Sequence, residues 1–227
     1  MFLQARGSKD EKKALIDAIA GWLVDVGVAT RAAPEALQTE RVRLRDEVLP
    51  LWRDHELGDL LGSAGFPPAV LQHNDPGSWN IIVDGDRFTA VDWESAKQHG
   101  FPLWDVVYFL TDALVHLDGE EHPPPRRDRH TAKLWRGDAP SSPILFEWVR
   151  RAAESLEIEP EHVGPIVTLG WLHHGTSPAR RADLGGRHGV VLVGDEPEAV
   201  AARAARLWMS EPGLGREWRA WHSRVGP

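Results

Sequence analysis

The 227-residue chain contains no cysteine, which excludes a disulfide framework and thiolate metal sites. Positive charge is in the minority: 26 Lys and Arg stand against 34 Asp and Glu, for a net charge of −8. No broad basic surface for nucleic acid or anionic lipid is therefore implied. No apolar run approaches the ~18 residues that span a bilayer. The opening MFLQARGSKDEKK turns charged after a short apolar start, too soon for a signal peptide. These absences predict a cytoplasmic protein that binds neither nucleic acid nor membrane. Asparagine occurs only twice. Both copies, Asn74 and Asn80, lie in one stretch, LQHNDPGSWNII, on either side of Asp75.

Hydrophobic residues make up 42% of the chain and charged residues 26%, enough for a globular core. Tryptophans scattered from Trp22 to Trp221 suit core and groove-lining positions rather than one binding box. In SKDEKKALIDAIAGWLVDVGV, from Ser8 to Val28, apolar residues recur at helical spacing behind a Ser8/Glu11 capping box. A second helical stretch begins near Thr39 and stops around Gly62 to Gly65, kinked or divided at Pro50. AVLQH reads as a short buried strand. WNIIVDGDRFTAVDW reads as a β-hairpin turning at Asp84-Gly85, and PLWDVVYFLTDALVHL as a buried helix. From Asp118 to Pro143 the composition predicts a polar loop or linker. Helices follow at Ile144–Leu156 and Pro160–His174, then a loop over GTSPARRADLGGRHG. A last helix in EPEAVAARAARLWM precedes a short turn reaching Trp221. LGGRHGVVLVG reads as a surface loop. The predicted fold class is α+β, mostly helical, with a small central hairpin.

His73, Asp75 and Asn80 fit H-x-D-x-x-x-x-N, the spacing of phosphoryl-transfer loops. An Asp at the apex of such a loop can accept the proton of an attacking hydroxyl. An Asn five residues on offers a neutral oxygen to Mg²⁺, which prefers hard oxygen ligands. A second carboxylate is needed, and Asp92 supplies it. A two-residue hairpin turn would set Asn80 and Asp92 side by side at the open end of the two strands. Taken singly, Asp75 and Asn80 could be turn residues, Asp92 the partner of an arginine and Asp105 a helix cap. Their joint order favours chemistry.

The stretch QHNDPGSWNIIVDGDRFTAVDWESAKQHGFPLWDVVYFL resembles the catalytic core of the aminoglycoside phosphotransferase and choline kinase-like family, small-molecule kinases with a protein-kinase-like fold. The resemblance implies that Asp75 is the catalytic base-like residue and that His73 braces the loop. It implies that Asn80 and Asp92 bind Mg²⁺ beside ATP, and that Asp105 ties the loop backbone in place. AIAGWLVDVGVATR is similar, more weakly, to the helix after the family's inter-lobe hinge. The family commonly has Gly between His and Asp; Asn74, which tolerates positive φ, stands there.

The family's N-terminal lobe brings a nucleotide-covering loop and a strand lysine. Only about seventy residues precede His73, and they read as helices, with Lys9, Lys12 and Lys13 at an exposed helix start. The chain is therefore expected to be a C-terminal lobe whose N-lobe is missing, through a truncated gene or a cropped segment. It divides into post-hinge helices (1–66), catalytic loop, hairpin and buried helix (67–118), and substrate-side helices (119–227). Activity as an ATP-dependent phosphotransferase on a small-molecule hydroxyl is the expected function, with a non-catalytic pseudokinase-like module as the alternative. Without an N-lobe, an apolar face near the hairpin would favour self-association. His173-His174 reads as a polar helix end. His99 could line the substrate cleft, and Glu94 could meet a cationic substrate.

Overall fold

The computed structural model describes residues 8–52, 57–85, 87–120, 124–188, 200–210 and 218. Helix α1 (Lys9–Ala29) starts at the expected capping box: Ser8 Oγ accepts from the Glu11 backbone, and Glu11 returns a bond to the Ser8 N–H. Its buried stripe of Ile16, Ile19, Ala20, Leu23, Val24 and Gly27 has helical spacing. The second helical stretch is divided around Pro50. Helix α2 (Gln38–Arg43) widens into a π turn (Leu44–Val48) and then tightens into a 3-10 turn (Leu49–Trp52), since proline cannot donate to the preceding turn. Helix α3 (Leu60–Ser63) is one turn capped by Asp59. No strand precedes Val70 among the described residues.

Strand β1 (Val70–Gln72) pairs antiparallel with β4 (Lys97–Gly100), and β2 (Ile81–Asp84) pairs with β3 (Arg87–Ala90) in register Ile81↔Ala90 to Asp84↔Arg87. Gly85 makes the turn with φ +63°, a conformation glycine adopts without a Cβ penalty. The fold is thus mostly helical α+β, with two small antiparallel pairs.

Helix α4 (Trp104–Leu117) is the centre. Apolar almost all round and buried along nearly its whole length, it packs against α1, α5 (Pro124–Arg136), α6 (Ser142–Ser155) and α7 (Pro160–His188). Gly170 lets α4 and α7 meet closely: a Cβ there would lie 2.8 Å from the Trp104 ring. The Trp104 indole consequently reaches the Ile166 carbonyl at 2.8 Å. Trp135, Trp171, Trp218 and, from α8 (Val200–Ser210), Trp208 form a second, aromatic layer of the core. The described tryptophans therefore pack as expected, with Trp79 and Trp93 the exposed exceptions among them.

Three expectations need correction. The Asp118–Pro143 linker is largely helix: α5 starts at Pro124, where a missing N–H costs nothing, and buries His130, Thr131, Leu134 and Trp135. Asp118 then pins the joint, accepting from His130 at 2.9 Å and from Ser141 Oγ at 2.7 Å. The loop expected over Gly175–Gly189 is helical to His188 as the continuation of α7, which packs extensively on α8. Leu184–His188 of LGGRHGVVLVG belong to that helix, and the rest of that stretch lies outside the described residues. So does most of the turn expected before Trp221. His173 and His174 sit within α7, buried, rather than at a polar helix end. No helix among the described residues is long and apolar enough to cross a membrane.

Candidate active site

Strand β1 delivers the chain into the His73–Gly77 loop, and a 3-10 turn (Ser78–Asn80) leads out of it into β2. One face of α4 holds this loop at three places. Asp105 accepts the backbone N–H groups of His73 at 2.6 Å and Asn74 at 3.0 Å. Tyr108, the chain's single tyrosine, hydrogen-bonds through its phenol to Asp75. Asp112 accepts the Ser78 N–H at 2.9 Å. Positions i, i+3 and i+7 fall on one side of a helix, so α4 fixes successive points along the loop. Asp105 therefore occupies the tying position that the resemblance implied.

His73 braces the loop from the other side. Its Nε2 meets the Val91 carbonyl at 2.8 Å and its ring lies 4.5 Å from that of Trp93. Val91 also donates its N–H to the Asn80 carbonyl at 2.9 Å. The β2–β3 ladder thus runs one step past Ile81·Ala90, and Asp92 follows directly on the partner of Asn80. The Asn80 amide nitrogen donates to the Asp75 carbonyl at 2.9 Å and to its carboxylate at 3.2 Å. Five sequence-predicted residues, 73, 75, 80, 92 and 105, are therefore gathered at one site. Asp75 and Asn80 touch directly. The Asp92 carboxylate is exposed and joins them through the Val91 backbone, with no hydrogen bond to either among the described residues.

Backbone strain concentrates here. Asn74 (φ +68°) and Asp92 (φ +64°) are both left-handed, as is Leu103 (φ +70°) just before Asp105. Non-glycine residues in this region cost about 1–2 kcal/mol each and persist where surroundings impose them.

Electrostatics follow burial. Desolvation pushes the Asp105 carboxyl up to about 6, against the two backbone N–H bonds and His73. Burial, then the charges of Asp75 and Asp112, push the Tyr108 phenol well above its ordinary range, so it remains a donor. His174, 4.4 Å from the Tyr108 ring, is driven down to about 3 by burial and by the Lys97 and Arg43 charges, and is neutral.

The donor set at Asn80 and Asp92 is compatible with Mg²⁺. With its amide nitrogen committed to Asp75, Asn80 keeps Oδ1 free of hydrogen bonds among the described residues, and Asp92 adds a carboxylate. Two hard oxygen donors suit a cation that retains waters and phosphates. No group of three His, Cys, Asp or Glu able to hold a metal occurs among the described residues.

On the Tyr108 side of the loop lies a small cleft that opens to solvent. Trp79, Tyr108, Asp112, Arg127, Trp171 and Leu207 are among its walls. The Arg127 guanidinium reaches Asp112 at 2.5 Å. Sequence reasoning missed Tyr108, Asp112, Arg127 and Trp171. The 105/108/112 spacing on α4 was a legible signal for the first two. Arg127 was hidden in a segment expected to be a loop. His99, exposed on β4, and Glu94 do not line this cleft.

The model of the phosphotransferase enzyme family (APH) matches residues 16–144. That span takes in α1 from Ile16 onward, both strand pairs, the loop and α4. No curated protein and no solved structure matches the chain.

Proposed function

Because the chain belongs to the phosphotransferase enzyme family, we propose that it transfers the terminal phosphoryl group of ATP to a hydroxyl of a small molecule. The observation that carries this is the setting of Asp75: a half-buried carboxylate between the Asn80 amide and the Tyr108 phenol, the latter on a residue that also lines the cleft. A carboxylate so placed orients an acceptor hydroxyl and takes its proton as the bond to phosphorus forms. Asn80 and Asp92 would hold Mg²⁺, which would supply neutralisation of the phosphate charge. Everything else the chain contributes is positioning. His73 and Asp105 keep the loop backbone fixed, and Tyr108 keeps Asp75 aimed.

The acceptor binds in the cleft between the loop and helices α5, α7 and α8. Asp112 and Arg127 compensate one another there, and Trp79, Tyr108 and Trp171 supply flat apolar walls. A ring-bearing alcohol without strong net charge fits that lining better than an ion.

ADP formation by the purified chain with Mg-ATP and a panel of sugars, nucleosides and amino alcohols tests the proposal. Turnover that needs both Mg²⁺ and an alcohol, and falls by about 10²–10⁴ in Asp75→Asn, is expected. Turnover equal in Asp75→Asn, or Mg-ATP binding without transfer to any alcohol, would favour a non-catalytic module.

A further inference from the structure

A second polar system touches the same loop from the far side. The Glu40 carboxylate, 7% exposed, accepts from Lys97 Nζ at 2.6 Å and from Arg43 Nη2 and Nε at 2.5 and 2.8 Å. Arg43 Nη2 also reaches Nδ1 of the buried His173 at 2.8 Å, and His173 Nε2 lies 2.9 Å from Asn74 Oδ1. The chain of contacts runs from α2 through α7 to the residue just before Asp75.

The chemistry of the partners fixes the direction of each bond. A guanidinium can only donate, so His173 Nδ1 is an acceptor and the ring is neutral with its hydrogen on Nε2. That hydrogen is donated to Asn74 Oδ1. The ring is further held by stacking on Trp104, 5.0 Å away at 19°. Among the groups that face it are Arg43 from α2, Asn74 from the loop, Trp104 from α4 and His174 beside it on α7.

Asn74 stands with φ +68°, a conformation glycine would adopt more cheaply. Glycine, however, would offer no side chain to tie. We propose that His173 is a positioning residue that fixes the Asn74–Asp75 turn through the Asn74 side chain, with Arg43 holding the imidazole in the required tautomer. The tether rests on the phosphotransfer proposal for its purpose but not for its existence. It also joins the loop to the helix that presents Trp171 to the cleft, so one element sets both the acceptor wall and the turn carrying Asp75.

Asparagine scarcity makes the test direct. Labelling with ¹⁵N-asparagine lights only Asn74 and Asn80, both in the site. His173→Leu is expected to shift the Asn74 side-chain amide signals, speed their exchange and lower ADP formation about tenfold or more, with the Mg-ATP affinity unchanged. His173→Gln, which can accept from Arg43 and donate to Asn74, is expected to restore all three. In an Asn74→Gly background, His173→Leu should have no further effect on turnover, because the two residues act as one unit. Asn74 signals unmoved in His173→Leu, or equal losses from that substitution with and without the Asn74 side chain, would overturn the proposal. Should His173→Leu fail to fold, the wild-type protein decides: imidazole ¹⁵N shifts must show the Nε2–H tautomer, and the Nδ1–H form or a cationic ring would contradict it. Absence of any Mg-ATP response at Asn80 in the same spectra would instead count against the phosphotransfer proposal, leaving the His173–Asn74 tether measurable.

Discussion

Asp105 Oδ2 stands 2.6 Å from the backbone nitrogen of His73, a residue 32 positions earlier in the chain. With Oδ1 on Asn74, one buried carboxylate clamps two consecutive peptide groups of the loop that carries Asp75. This clamp is costly to ionise. The folded-state value near 6 lies above the ordinary 3.8, so the folded protein binds the extra proton. The associated stability is fully present below 3.8 and is lost as pH rises through about 6.

Asp105→Asn should separate stability from function. It removes a buried charge but offers only one oxygen to two N–H groups. Thermal melting should change little, whereas turnover should fall on the order of a hundredfold through misplacement of the loop. Wild-type turnover should also decline as pH drops through about 6, and that limb should be missing from the residual activity of Asp105→Asn.

Tyr108→Phe deletes the donor to Asp75 and keeps the ring packed against His174 and Trp79. Loss of one such bond should cost about 1 kcal/mol of stability, read by chemical denaturation. Turnover should fall with the affinity for Mg-ATP retained; an unchanged rate would remove Tyr108 from the site.

Arg127→Met should be among the most destabilising surface-proximal changes. It strips buried Asp112 of its guanidinium, leaving the Ser78 N–H and His116 Nε2, 3.8 Å away, as its remaining partners, at a cost of about 3 kcal/mol. Adding Asp112→Asn should recover much of that loss in urea denaturation, since the orphaned charge disappears with it.

His174 is buried neutral, its value depressed from 6.5 to about 3. The unfolded chain therefore binds the proton that the folded one refuses, and stability present above 6.5 is lost as pH falls. Between pH 6.5 and 5 the wild type should lose about 2 kcal/mol more than His174→Phe. The comparison with the variant matters because Asp105 contributes an opposite slope over part of that range.

Elements with local signatures were legible in the sequence. The Ser8/Glu11 box announced α1, the two-residue turn at Gly85 announced the hairpin, and the order of His73, Asp75, Asn80 and Asp92 announced the loop and its neighbours. What stayed hidden depends on partners distant in the chain. Arg127 lies in a proline- and arginine-rich run that resembles a linker until its His130, Thr131, Leu134 and Trp135 face finds the core. His173 and His174 look like a polar helix end because Arg43, Asn74 and Tyr108, which surround them, come from elsewhere in the chain. Extension of α7 through Pro178 against α8 likewise reflects tertiary packing overriding proline's local cost.

Titration calorimetry of Mg-ATP into the wild-type chain and into Asp92→Ala tests the central claim most directly. The proposed role of Asp75, Asn80 and Asp92 in one nucleotide-metal site predicts binding that requires Mg²⁺ and is abolished by Asp92→Ala, with the fold intact. Binding that is equally strong without Mg²⁺, or undiminished in Asp92→Ala, would contradict it.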